Sequence, residues 1–109
     1  MTASVIWTTF ADEDSALESA SALLDEQLVA CANLVPAIRS LYLWRGERGE
    51  ARECGVLFKT DASLLDRATA RLAEIHPYDA PAVLGWRADT AAKPTAEWLR
   101  SLARDESLR

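Results

Sequence analysis

Residues Cys31 to Arg45 read CANLVPAIRSLYLWR. With Val35, Ile38, Tyr42 and Trp44 along it, the stretch reads as one long strand. Pro36 has no N–H to give a ladder, so the strand must lie at an edge or carry a bulge there. Gly46-Glu47-Arg48-Gly49 is a turn signal. Glu50 to Thr60, EARECGVLFKT, reads as the returning strand of a hairpin. At about 3.3 Å per residue the first strand would reach roughly 50 Å. A compact domain of this size has a radius of gyration of only about 13 Å. The hairpin should therefore project past its own core, with Leu41, Tyr42, Leu43 and Trp44 uncovered. Such an edge invites pairing, and further copies of the chain in a closed symmetric oligomer would satisfy it. The alternative is a bulged hairpin that bends back on its own subunit.

On the N-terminal side, Ser4–Phe10 (SVIWTTF) has strand composition. Asp12-Glu13-Asp14 supplies a cap and negative charge for a helix start. Leu17, Ala20, Leu24 and Leu28 recur at helical spacing and predict a helix from about Asp12 to Val29. On the C-terminal side, Asp61 can cap a second helix with Leu65, Ala68, Leu72 and Ile75 as its stripe. His76-Pro77 ends it, because the residue before proline is pushed out of helical geometry. Pro81–Arg87 (PAVLGWR) reads as a fourth strand. Pro94 opens a last helix whose apolar face is Trp98, Leu99 and Leu102. The order is βαββαβ plus a C-terminal helix over residues 1–109, one domain by size. That is the α+β, ferredoxin-like pattern with an antiparallel sheet.

Composition bounds the function. The formal net charge is −5. Nucleic acid and anionic membrane surfaces both require a basic surplus, so neither is an expected partner. The N-terminus lacks a signal-peptide pattern and no apolar run is long enough to span a bilayer, which points to the cytoplasm. Cys31 and Cys54 form no CxxC pair and are expected as free thiols there. Neither a nucleophile-elbow motif nor a phosphate-cradling glycine loop occurs, so no enzyme activity is expected.

Three stretches together resemble the CutA family. They are Ala30-Cys31-Ala32-Asn33-Leu34-Val35-Pro36 running on to Ser40-Leu41-Tyr42-Leu43-Trp44-Arg45-Gly46, then Phe58-Lys59-Thr60, then His76-Pro77-Tyr78-Asp79-Ala80-Pro81. The likeness spans roughly Ser4 to Leu102. It implies a ferredoxin-like subunit, a homotrimer joined through the long hairpin, and a role in divalent-cation tolerance with copper as the cation most often attributed to the family. The chain departs from the family pattern at Ala37, where a glycine usually follows the proline. It departs again at Ile75, where some members carry a second histidine.

Imidazole and thiolate suit copper and zinc, so Cys31 and His76 are the candidate metal ligands. Two ligands make a weak site, and Cys31 as a small buried hydrophobe with His76 as a helix-end residue is the plain alternative. Tyr42 and Trp44 share one strand face. With Lys59 and Tyr78 they could line a cleft for a small anionic or aromatic ligand. This gives a second reading, a PII-like small-ligand sensor with an inter-subunit cleft. The same aromatics could instead anchor an interface. Glu47, Glu50 and Glu53 flank the turn and read as a solvated face.

Overall fold

The computed structural model describes residues 2–107, with side chains to residue 104. The elements are β1 (Ala3–Phe10), α1 (Glu13–Asp25), β2 (Cys31–Trp44), β3 (Glu47–Asp61), a 3-10 turn (Ala62–Leu64), α2 (Leu65–Ile75), β4 (Leu84–Arg87) and α3 (Lys93–Ser107). The four strands form one sheet in the order β2-β3-β1-β4, antiparallel at every pairing. This is the predicted ferredoxin-like order.

Alternation along the strands decides which residues meet the helices. Ile6 and Phe10 on β1, with Cys54, Val56 and Phe58 on β3, form one core with Ala16, Ala20 and Leu23 of α1 and Leu65, Ala68 and Leu72 of α2. α3 packs on β1 and β3 and buries Leu99, outside that cluster.

Helix α1 starts as predicted, with the Asp12 side chain accepting from the Ser15 N–H at 2.8 Å. It ends four residues early. Gln27 takes a left-handed φ of 58°. The N–H groups of Gln27 and Leu28 then bond back to the carbonyls of Leu24 and Leu23, which closes the helix. Its buried stripe also differs from the expected one. Ala16, Ser19, Ala20 and Leu23 face the sheet, while Leu17 and Leu24 are exposed. Small residues let the helix axis approach the strands, which the leucine spacing alone does not reveal. Leu28 and Val29 are buried in the connection, where the Thr60 hydroxyl bonds the Leu28 carbonyl at 2.7 Å.

The fourth strand is shorter than Pro81–Arg87. Pro81 to Val83 lie outside the ladder, and the approach is held by the Thr8 hydroxyl bonding the Ala82 carbonyl at 2.8 Å. Of the tryptophans beyond the hairpin, Trp7 is half-buried while Trp86 and Trp98 are exposed.

The β2–β3 arm projects from the sheet with its tip residues exposed. The subunit measures 45 × 27 × 23 Å. Val35 pairs with Gly55 and Ile38 with Glu53, so Pro36 and Ala37 together oppose Cys54. That two-against-one count is a β-bulge, and it takes up the missing proline N–H. Ala37 has a φ of 61°, a left-handed conformation suited to glycine. At the tip, Trp44 pairs with Glu47, leaving a two-residue turn of Arg45 and Gly46 at φ 52° and 80°. Two consecutive positive φ values are the type I′ signature that matches strand twist. Past the bulge one face of the arm presents Ser40, Tyr42, Trp44, Ala51 and Glu53. The other presents Arg39, Leu41, Leu43, Arg48 and Arg52.

Candidate functional site

Where the arm leaves the sheet, an open cleft of about 650 Å³ is lined by Thr9, Ser40, Tyr42, Trp44, Glu53 and Tyr78, with Ala80 to Ala82 along one wall. Three elements converge on it. The β2–β3 arm brings Tyr42, Trp44 and Glu53, the end of β1 brings Thr9, and the loop after α2 brings Tyr78.

Pro77 forces the chain out of α2 at His76, whose backbone is extended. The His76 ring then turns back under the loop. Its Nδ1 lies 3.1 Å from the Tyr78 N–H and accepts from it. The proton must therefore sit on Nε2, which lies 2.9 Å from the Thr9 carbonyl and donates to it. Phe10 stacks on the ring at 4.3 Å. Burial holds His76 below the ordinary imidazole range, against the opposing pull of the Thr9 carbonyl and Glu53.

The loop so fixed delivers Tyr78, whose hydroxyl donates to Glu53 Oε2 at 2.7 Å. The Thr9 hydroxyl donates to the same oxygen at 3.1 Å. Burial alone would push the Glu53 carboxyl up. Hydrogen bonds from Ser40, Tyr78 and Thr9, with His76 close by, outweigh it and hold Glu53 below the ordinary carboxylate range. Burial and the adjoining Glu53 charge raise Tyr78, so its phenol stays protonated.

The structure brings Tyr42, Trp44 and Tyr78 together in this cleft. It places Lys59 elsewhere, opposite Val5 and Cys31 and six residues from Glu53 along β3, a distance of about 20 Å. The charge that the cleft holds is Glu53, which the sequence reading assigned to a solvated face. Its polarity is therefore opposite to that expected for an anionic ligand. Register could have found Glu53: it falls across the hairpin on the face of Tyr42 and Trp44.

Cys31 and His76 are not brought together. Cys31 is level with Lys59, while His76 sits at Thr9, level with Gly55 and two strands away. Strand spacings put them on the order of 15 Å apart. Both His76 nitrogens are engaged, whereas Cys31 is a half-exposed free thiol whose Sγ lies 3.5 Å from Asn33 Oδ1. Among the described residues no group of three or more His, Cys, Asp and Glu side chains could hold a metal ion. Cys54 is buried in the core as a packing residue. Among the described residues no helix is long and apolar enough to cross a membrane.

A ferredoxin-like sheet that extends its β2–β3 hairpin into a long arm, with an aromatic cleft at the arm's root, defines the class of small α+β subunit to which this chain belongs. Its sequence narrows the class: residues 4–102 match the family model described as CutA1 divalent ion tolerance protein, and the chain belongs to that family. It is 38% identical over 95 residues to the divalent-cation tolerance protein CutA of Pyrococcus horikoshii, covering 87% of this chain and 92% of the relative. It is similar in structure to the divalent ion tolerance protein CutA1 of Ehrlichia chaffeensis, with a TM-score of 0.86 and 32% identity over 92% of this chain and 94% of the other. The fold persists at 24% identity in the periplasmic divalent cation tolerance protein CutA of Archaeoglobus fulgidus, with a TM-score of 0.85 over 92% of this chain and 97% of that one.

Proposed function

We propose that the chain works in divalent-cation tolerance as a non-catalytic cytoplasmic homotrimer that contacts copper or a similar divalent cation weakly. The observation that carries the assembly is the uncovered arm. Leu43 is 77% exposed and Leu41 59%, and at the opposite sheet edge Leu84 is 62% exposed. Exposed apolar side chains beside two open strand edges support pairing with further copies. An edge of one kind meeting an edge of another is a head-to-tail contact, which forms a ring when the rotation between copies closes. Three copies is the number the family resemblance implies.

For the cation, the side chains support a contact and not a preformed cage. A structural zinc site takes four ligands, and a subunit offers the soft thiolate of Cys31 with the Asn33 oxygen beside it. His76 is a poor second ligand, since a metal at either nitrogen would displace a backbone hydrogen bond. Copper titration of the full chain with Cys31→Ser and His76→Gln variants tests this. The expected result is loss of binding in Cys31→Ser and retention in His76→Gln. Undiminished binding in Cys31→Ser would overturn the assignment. Sedimentation equilibrium of the parent tests the assembly, with a mass of three chains expected.

A further inference from the structure

Glu53 is a hydrogen-bonded carboxylate in an aromatic cleft without a cation beside it. Its Oε2 takes hydroxyl donors from both Tyr78 and Thr9. Among the described residues neither lysine nor arginine pairs with it. The neighbouring acid on the other face of the arm, Glu50, does have a guanidinium partner in Arg39. The hydroxyl donors offset its desolvation, so the recess presents an unneutralised negative charge that attracts a group of opposite sign.

The cleft's walls say what that something is. Tyr42, Trp44 and Tyr78 line it with Glu53. Aromatic faces carry negative electrostatic potential and attract a cation, most strongly one that sheds water readily. Trp44 already takes a cation on its ring, with Arg45 Cζ 5.2 Å from the ring centroid. A hard divalent ion fits poorly, because it needs several oxygen ligands and gives up hydration reluctantly. Glu53 supplies one carboxylate, and its Oε2 already takes two hydroxyl donors. An organic ammonium fits both the charge and the walls, and about 650 Å³ of space accommodates an apolar body as well.

We propose that the cleft formed by Glu53, Tyr42, Trp44 and Tyr78 binds an organic monocation, an ammonium carried on an apolar or aromatic body. The ammonium sits against Glu53 beside Tyr78, and the body runs along the cleft past Ala80 to Ala82 toward Tyr42. The site is independent of the cation-tolerance reading, since it shares no residue with Cys31 and does not require a metal.

Calorimetric titration of the full chain with benzyltrimethylammonium chloride tests it, with sodium benzenesulfonate at equal ionic strength as the anionic counterpart. The expected result is saturable binding of the ammonium compound alone. Glu53→Gln keeps the shape and can still accept from Thr9 and Tyr78, so the fold is expected to survive. That variant should bind about tenfold more weakly or worse, the scale of losing one charged partner. Equal binding of the sulfonate, unchanged affinity in Glu53→Gln, or no saturable binding to the parent would each overturn the proposal. Copper binding by Cys31 remains a separate readout, so failure of one leaves the other standing.

Discussion

The Tyr78 hydroxyl and Glu53 Oε2 lie 2.7 Å apart, joining residues separated by 25 positions in the chain. This bond ties the loop after α2 to the root of the arm. His76 sets it up, because its Nδ1 holds the Tyr78 backbone while its Nε2 anchors to β1.

Tyr78→Phe removes the hydroxyl and leaves Glu53 with fewer donors. A stability loss of about 1 kcal/mol is expected, at the low end for a bond to a charged group because the cleft is open to water. The Glu53 titration should move up, since a hydrogen bond that favours its charged form is gone. Urea unfolding and an NMR titration of the side-chain carboxyl measure the two effects. A Tyr78→Phe chain with the parent's stability and the parent's Glu53 titration would contradict the bond's role.

Ala37 holds a left-handed backbone at the bulge. Ala37→Gly relieves a conformation that costs an L-residue roughly 1–2 kcal/mol, offset in part by glycine's greater freedom when unfolded. A net gain of about 1 kcal/mol is expected. Ala37→Val should lose more than that, since β-branched residues hardly enter this region. Denaturation midpoints at one fixed chain concentration decide both.

The stability of the fold should fall as pH drops below about 6.5. His76 is held neutral by burial, with its folded titration below the unfolded value of 6.5. Above 6.5 neither state is protonated and the stabilisation is complete. Below it the unfolded chain binds a proton that the folded chain resists, so stability is lost until pH passes the folded value. Glu53 adds a second loss below its unfolded value of 4.5, as protons favour the unfolded carboxyl. In His76→Gln the upper slope should flatten and the lower one remain. An unchanged upper slope would show that His76 is not its source.

Leu41→Asp combined with Leu43→Asp places charge on the exposed apolar face of the arm. The subunit's own core does not include these residues. The isolated fold should survive by circular dichroism while the assembly dissociates in sedimentation equilibrium. A double variant with the parent's mass would show that copies do not meet there.

The strand order and the arm were legible because period-two patterning and chain reach are local properties. The bulge announced itself through Pro36, and the non-glycine at position 37 drew notice through the family pattern before its φ gave the reason. The end of α1 was not legible, since a glutamine in the left-handed region carries no sequence mark. The buried stripe of α1 escaped because close helix–sheet approach selects alanine and serine over leucine. The period of two placed Tyr42 and Trp44 on one face, and Tyr78 joins them along the cleft. Lys59 lies outside that cleft and Glu53 inside it for one shared reason. Which charge enters the cleft depends on the hairpin register, and that follows from where the two-residue turn at Arg45-Gly46 falls.

The two-residue tip at Arg45-Gly46 has an evolutionary corollary. It locks the partner of every arm residue, so inserting or deleting a single codon in either strand would exchange the arginine-rich face for the aromatic one from that point outward. Length variation in the arm should therefore come as matched pairs on both strands, or as a compensating second bulge. Frameshifts in pairing, more than loss of any one side chain, are the changes this arm is least able to absorb.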